Sequence, residues 1–242
     1  SRRNLRIFAG IAAIVIIILC IVFSLFEKFF DNNIDEHISK QLSCDEIYEE
    51  AMVMLNHHDS IHLYIQGKEK LRILAEDSLY VPAKMKYYVL LLNSNISGEV
   101  IKGFTALKKI LQTDTLNTIA LFECGLTLSK SNPTFNIPMV RQSLLGIEPD
   151  LFQANDWLYK VVKLDTLDYK SAYWALSNLI EMKLAESNGI KIKLPLNVDR
   201  KMVELYGMFE KRVQNYEDVT AEKYKEAVAN DKKILWNWGL IK

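Results

Sequence analysis

The chain has 242 residues, half of them hydrophobic, and its 30 basic side chains balance its 30 acidic side chains. The zero net charge and the lack of a lysine- or arginine-rich run argue against a nucleic-acid partner. Glycine and proline are few for this length, no long alternating apolar pattern occurs, and three cysteines do not make a disulfide framework. Composition therefore predicts an all-α protein.

The first predicted element is a transmembrane helix at residues 7–26. Its sequence, IFAGIAAIVIIILCIVFSLF, holds no charged residue. A helix of this length spans about 30 Å, the thickness of a bilayer's hydrocarbon core. The bulky, charged flank that follows lacks the small residues of a signal-peptide cleavage site, which favours a retained anchor.

Arginines before this segment predict its orientation. Arg2, Arg3 and Arg6 precede it, and basic residues resist translocation. We therefore expect residues 1–6 to be a short cytoplasmic flank and the C-terminal domain to be extracytoplasmic, periplasmic in a Gram-negative bacterium. Because the chain begins with Ser1 instead of Met, the flank is expected to be shortened, with further cytoplasmic sequence upstream.

Residues 27–42 are predicted to form a juxtamembrane stalk, and paired amphipathic helices follow over residues 43–215. A capping box at residues 43–46 opens the first helix. Three further pairs are predicted to begin near Val81, Leu116 and Asp168. A long insertion at residues 132–150 separates the two helices of the third pair, and a second long loop is predicted at 187–197.

The spacing of the pairs indicates a repeat. Successive first helices, from Asp45 through Val81 to Leu116, are 36 and 35 residues apart, and the insertion lengthens the next interval. Helix pairs at such a period predict a solenoid of αα-hairpins in which each pair completes the core of its neighbour. Residues 216–242 would form a C-terminal capping helix. The alternative is an irregular helical bundle with accidental spacing.

Two segments resemble known helical repeats. Small and large residues at 154, 158 and 161, then at 172, 176 and 180, are similar to the tetratricopeptide pattern. The segment from Gly67 through Leu71, Leu74 and Ala75 is more similar to the Sel1-like variant. The match departs from the tetratricopeptide pattern at Thr166, where proline is usual, and at Ser177, where glycine is usual. The resemblance implies a scaffold for protein complexes.

Aromatic side chains are the main candidates for a binding site. In a repeat array, aromatics of the first helices often line a groove that can hold a peptide, and Tyr169, Tyr173 and Trp174 are our candidates for partner binding. Their neighbour Ala172 is expected to make a tight helix contact. Three other tryptophans are expected to pack between helices or to cover the last apolar face: Trp157, Trp236 and Trp238.

The sequence offers only weak candidates for a metal site and none for a cofactor. His58 and His62 are four residues apart, as a metal pair on one helix face requires. Ser60 is a predicted helix cap, however, and a break between the two histidines would spoil that geometry. Cys44 and Cys124 are expected to be free, buried thiols.

These observations predict a membrane-anchored, non-enzymatic module that binds a protein or peptide partner in a bacterial cell envelope. An alternative is the extracytoplasmic sensor of a larger signalling protein, for example a receptor-type kinase whose catalytic domain lies upstream of Ser1. A third interpretation is a helical hydrolase or glycan-binding protein that uses the insertion at residues 131–150.

Overall fold

The computed structural model describes residues 43–57, 59–76, 80–130, 147–148 and 150–242. Within these ranges the chain forms nine α-helices and no strand, so the prediction of an all-α fold is confirmed. In chain order the helices are α1 (43–56), α2 (Ile61–Glu76), α3 (Val81–Leu92), α4 (Ser97–Thr113), α5 (Thr118–Lys130), α6 (Leu151–Leu164), α7 (Tyr169–Ser187), α8 (Val198–Val213) and α9 (Val219–Asn237).

The chain divides into two compact units, the first ending at Ala83 and the second spanning Lys84–Lys242. In the first unit α1 packs on α2 at a very close crossing. A Cβ added to Gly67 would lie 2.8 Å from the carbonyl oxygen of Ala51, so only glycine fits there. The hydroxyl of Ser60 accepts a hydrogen bond from the backbone N–H of Leu63 at 3.3 Å, which confirms Ser60 as the cap of α2.

In the second unit the helices pack in chain order. Helix α4 contacts α5, α5 contacts α6, α6 contacts α7, and α7 contacts α8, while α9 packs on both α7 and α8. In addition, α5 contacts α7, so the first helices of successive pairs are neighbours. This order of packing is compatible with a helical repeat, in which each αα-hairpin stacks on the next one.

Small residues permit the close crossings in this unit too. A Cβ added to Gly103 on α4 would lie 2.7 Å from the carbonyl oxygen of Tyr88 and 2.7 Å from the backbone nitrogen of Leu92, both on α3. A Cβ added to Gly125 on α5 would lie 2.9 Å from Cγ of Leu158 on α6. In these two hairpins a glycine allows the two helices to approach each other where a larger side chain would clash.

Buried polar side chains also tie neighbouring helices together. Asn155 Nδ2 on α6 donates a hydrogen bond to the carbonyl oxygen of Ala175 on α7 at 2.8 Å. The guanidinium of Arg212 on α8 donates to the carbonyl oxygens of Val162 and Asp168, each at 2.9 Å. Arg212 therefore satisfies carbonyl groups at and beyond the C-terminal end of α6, which that helix cannot satisfy itself.

The apolar face of α2 differs from the sequence pattern. The isoleucines at its start fit the expected stripe, but Ile61 is 75% exposed and Ile65 is 57% exposed. The buried residues are Gly67, Leu71 and the pair Leu74 and Ala75. The N-terminal half of α2 therefore lies outside the core, because the helix buries its surface only where Gly67 lets α1 approach.

The predicted anchor at residues 7–26, the stalk and most of the insertion lie outside the described residues. Among the helices that are described, none combines the length and apolarity that a bilayer-spanning segment needs. The membrane prediction therefore stays a prediction from the sequence.

Candidate functional site

Tyr169, one of the three candidates for partner binding, is a core residue. It begins α7 and is only 3% exposed. Its ring lies 4.9 Å from the ring of Tyr216 and 5.5 Å from that of Tyr224, centroid to centroid, and its edge-on contact with Phe209 is 6.2 Å. Burial raises the pKa of its phenol. This environment leaves Tyr169 little surface with which to meet a partner.

Tyr173 and Trp174 are half-buried, and together with Tyr224 of α9 they form what we call the aromatic patch. Tyr173 packs edge-on against Trp174 at 5.4 Å and against Tyr224 at 5.0 Å. The indole N–H of Trp174 donates a hydrogen bond to the hydroxyl of Tyr224 at 3.0 Å. T-shaped pairs of this kind hold rings in fixed orientations, so the patch presents partly exposed rings that are already ordered.

The position of α7 explains why these rings converge. The side chain of Asp168 caps the helix by accepting hydrogen bonds from the backbone N–H groups of Lys170 and Ser171, which fixes the first turn. Ala172 is fully buried, as expected for a tight helix contact. Tyr173 and Trp174 follow directly, at the edge of the face that α9 covers.

A buried carboxyl group lies on the same pair of helices. Asp231 of α9 is buried and accepts a hydrogen bond from Ser177 Oγ of α7 at 3.0 Å. Burial raises the pKa of Asp231 from 3.8 to about 6; the charge of Glu181 adds to that increase, and the hydrogen bond from Ser177 opposes it. Asp231 in turn contributes to the raised pKa of Tyr173, of which burial is the main cause.

The candidates taken from the sequence do not include Asp231, although a signal for it exists. Val228 and Leu235 are buried on α9, and Asp231 lies three residues after the first and four before the second. A carboxylate on the apolar stripe of a helix is therefore visible in the sequence. The spacing cannot predict that Ser177 is the hydrogen-bond partner of Asp231, because Ser177 lies on another helix.

The candidate metal pair gains no support from the structure. His58 lies outside the described residues. His62 is exposed, and its Nε2 lies 3.0 Å from Nε2 of Gln66, one turn further along α2. Across the part of the chain that is described, no three or more His, Cys, Asp or Glu side chains gather as a metal site would require.

The two cysteines within the described residues are free and buried, which confirms the prediction for Cys44 and Cys124. Burial raises the pKa of the Cys124 thiol to about 12. Of the remaining tryptophans, Trp157 packs against the core of α3–α5 and Trp238 against the core of α6–α9. Trp236, expected to cover the end of the array, is instead 64% exposed.

Comparison of the chain with protein-family models, with curated proteins and with solved structures finds no match.

Proposed function

We propose that this protein is a membrane-anchored, helical-repeat scaffold of the tetratricopeptide-like or Sel1-like kind that binds a protein or peptide partner in a bacterial cell envelope. The observation that carries the proposal is the aromatic patch on stacked αα-hairpins. Partly exposed tyrosine and tryptophan rings are typical anchor residues of protein interfaces. Because Tyr173 and Trp174 are ordered by their mutual contact and by Tyr224, little conformational entropy is lost when a partner binds.

The anchor and the orientation in this proposal come from residues 7–26 and the arginines before them. They would hold the helical domain close to the extracytoplasmic face of the membrane. A second candidate is the sensor domain of a larger signalling protein, which would use the same patch to bind its signal. An initiator Met a few codons upstream of Ser1 in the gene would contradict this second candidate.

The proposal is tested with two substitutions on adjacent faces of α7. Trp174→Ala removes a half-buried ring of the patch, and Ala172→Leu adds volume at a fully buried position. We expect Ala172→Leu to lower the free energy of unfolding by about 1–3 kcal/mol through overpacking. We expect Trp174→Ala to weaken partner binding by about 2 kcal/mol or more.

The measurements are thermal melting and quantitative partner capture by crosslinking in native membranes, at a temperature at which both variants are folded. Ala172→Leu serves as the control for instability, so capture should persist in that variant and be lost in Trp174→Ala. Equal capture by both variants and the wild-type chain would contradict a role for the patch.

A further inference from the structure

A second surface combines aromatic rings with uncompensated positive charge. Phe152 and Tyr159 are seven residues apart on α6, which places them on the same side of that helix, about two turns apart. Phe152 is 41% exposed and Tyr159 is half-buried. The surface extends from them to Lys193, in the loop between α7 and α8, and to Lys201 of α8; these four residues are the α6–α8 face.

A lysine lies over each of the two rings. Lys193 Nζ is 5.0 Å from the centroid of Phe152, and Lys201 Nζ is 5.5 Å from the centroid of Tyr159. Lys163 Nζ lies 5.0 Å from the centroid of Tyr159 as well. Cation–π contacts of this length hold an ammonium group over a ring face while leaving its other side open to solvent. Each lysine therefore presents its charge next to apolar surface.

Two carboxylates near this face are already paired within the chain, whereas that of Asp150 caps α6. Asp156 binds Lys160 at 2.9 Å, and Glu204 binds Lys163 at 2.5 Å. The hydrogen bond from Lys163 lowers the pKa of Glu204, which keeps that carboxylate charged. The Tyr159 hydroxyl also donates a hydrogen bond to Glu204, at 3.2 Å. The contacts of Lys163 and Tyr159 with Glu204 therefore join α6 to α8.

Asp199 of α8, another acidic residue beside the face, forms an ion pair with Lys183 of α7. Within the described part of the chain, Lys193 and Lys201 have no acidic partner. The face therefore carries two positive charges that no ion pair with a described residue neutralises, one beside each aromatic ring.

We propose that the α6–α8 face binds an acidic, partly apolar segment of a partner protein, with one carboxylate on Lys193, one on Lys201 and an apolar side chain against Phe152. The proposal rests on the interaction function proposed above and names the chemistry of the partner. Two lysines separated by aromatic rings suit a peptide, whereas recognition of an anionic membrane surface relies on clusters of about four to eight basic residues.

The test measures binding of a fluorescein-labelled, 12-residue peptide of Glu, Leu and Ser to the 242-residue chain in detergent. A peptide with Gln at each Glu position is compared with it, and phosphatidylglycerol is added to the detergent micelles as a competitor. Lys193→Glu combined with Lys201→Glu reverses the two free charges. Lys223→Glu combined with Lys233→Glu makes the same change at two exposed positions on α9 and is the matched control.

We expect saturable binding of the acidic peptide that weakens about tenfold in the Lys193/Lys201 variant and stays within about twofold in the control. Binding should also weaken about fivefold or more between 50 and 500 mM NaCl, because salt screens exposed charges. Circular dichroism checks that both variants keep their helices.

Equal binding of the Gln peptide, displacement of the acidic peptide by phosphatidylglycerol, no binding at all, or equal loss in the control variant would each overturn the proposal. Partner capture in native membranes distinguishes a failure of the acidic-partner proposal from a failure of the proposed interaction function. Capture that depends on Trp174 and is unaffected at Lys193 and Lys201 would refute only the acidic partner. No specific capture by the wild-type chain would refute the interaction function itself.

Discussion

At the residue scale, the least expected group in the molecule is the carboxyl of Asp231. It lies on the apolar stripe of α9 and receives a single hydrogen bond, from Ser177, within a buried environment. Burial of a carboxylate is costly because water no longer solvates its charge. The neutral form is therefore favoured in the folded protein, and the pKa of about 6 expresses this preference.

This preference predicts how stability depends on pH. Since the folded state binds the Asp231 proton more tightly than the unfolded state, the contribution of Asp231 to stability is complete below about pH 4. It is lost as the pH rises through about 6. In Asp231→Asn the side chain stays neutral, so the stability of this variant relative to the wild-type protein should rise between about pH 4 and 6 and exceed it by about 2–3 kcal/mol at pH 7.

Urea unfolding at a series of pH values measures the difference between the two proteins. Glu226→Gln removes an exposed carboxylate from the same helix and should follow the wild-type curve. A constant difference between Asp231→Asn and wild type over the whole pH range would show that Asp231 does not titrate there.

At the element scale, sequence patterns predicted the helices well because caps and turns are local. Ser60 caps α2 as predicted, and Asp168, near which the last pair is predicted to begin, caps α7 with its side chain. The aromatic patch could not be predicted in the same way. Tyr169 is buried because Phe209, Tyr216 and Tyr224 converge on it, and these residues are far away in the sequence.

Close helix crossings lead to a prediction about two glycines. At Gly103 a Cβ would clash with the backbone of α3, whereas Gly207 on α8 has no atom within 4 Å of a Cβ added there. Gly103→Ala should therefore lower the free energy of unfolding by about 1–3 kcal/mol, because rigid backbone cannot move aside. Gly207→Ala should raise it by about 0.5–1 kcal/mol through helix propensity alone.

Chemical denaturation of the two variants under identical conditions provides the comparison. The same substitution is made within a helix in both, so their difference isolates the crossing. If Gly103→Ala stabilised the protein as much as Gly207→Ala, the close approach of α3 and α4 would be disproved.

At the scale of the whole molecule, the prediction of stacked hairpins rests on the period of the helix pairs, while the prediction of a membrane anchor rests on the composition of one segment alone. An apolar run of 20 residues needs no tertiary information to be recognised. Packing of hairpins does need it. The period indicated which helices pair. It could not indicate that the first turns of α2 are exposed despite their isoleucines, because tertiary contacts decide which residues of a helix are covered.

The orientation of the whole chain gives the last prediction. A membrane-impermeant maleimide should label Glu226→Cys in intact bacterial cells that express the protein, and it should label Ser1→Cys only after the cells are permeabilised. A Cys20→Ser chain is a suitable background because the two remaining cysteines, Cys44 and Cys124, are buried. The raised pKa of Cys124 also keeps its thiol protonated and unreactive. The reverse pattern, with Ser1→Cys labelled in intact cells and Glu226→Cys protected, would invert the orientation and move the aromatic patch and the α6–α8 face to the cytoplasm.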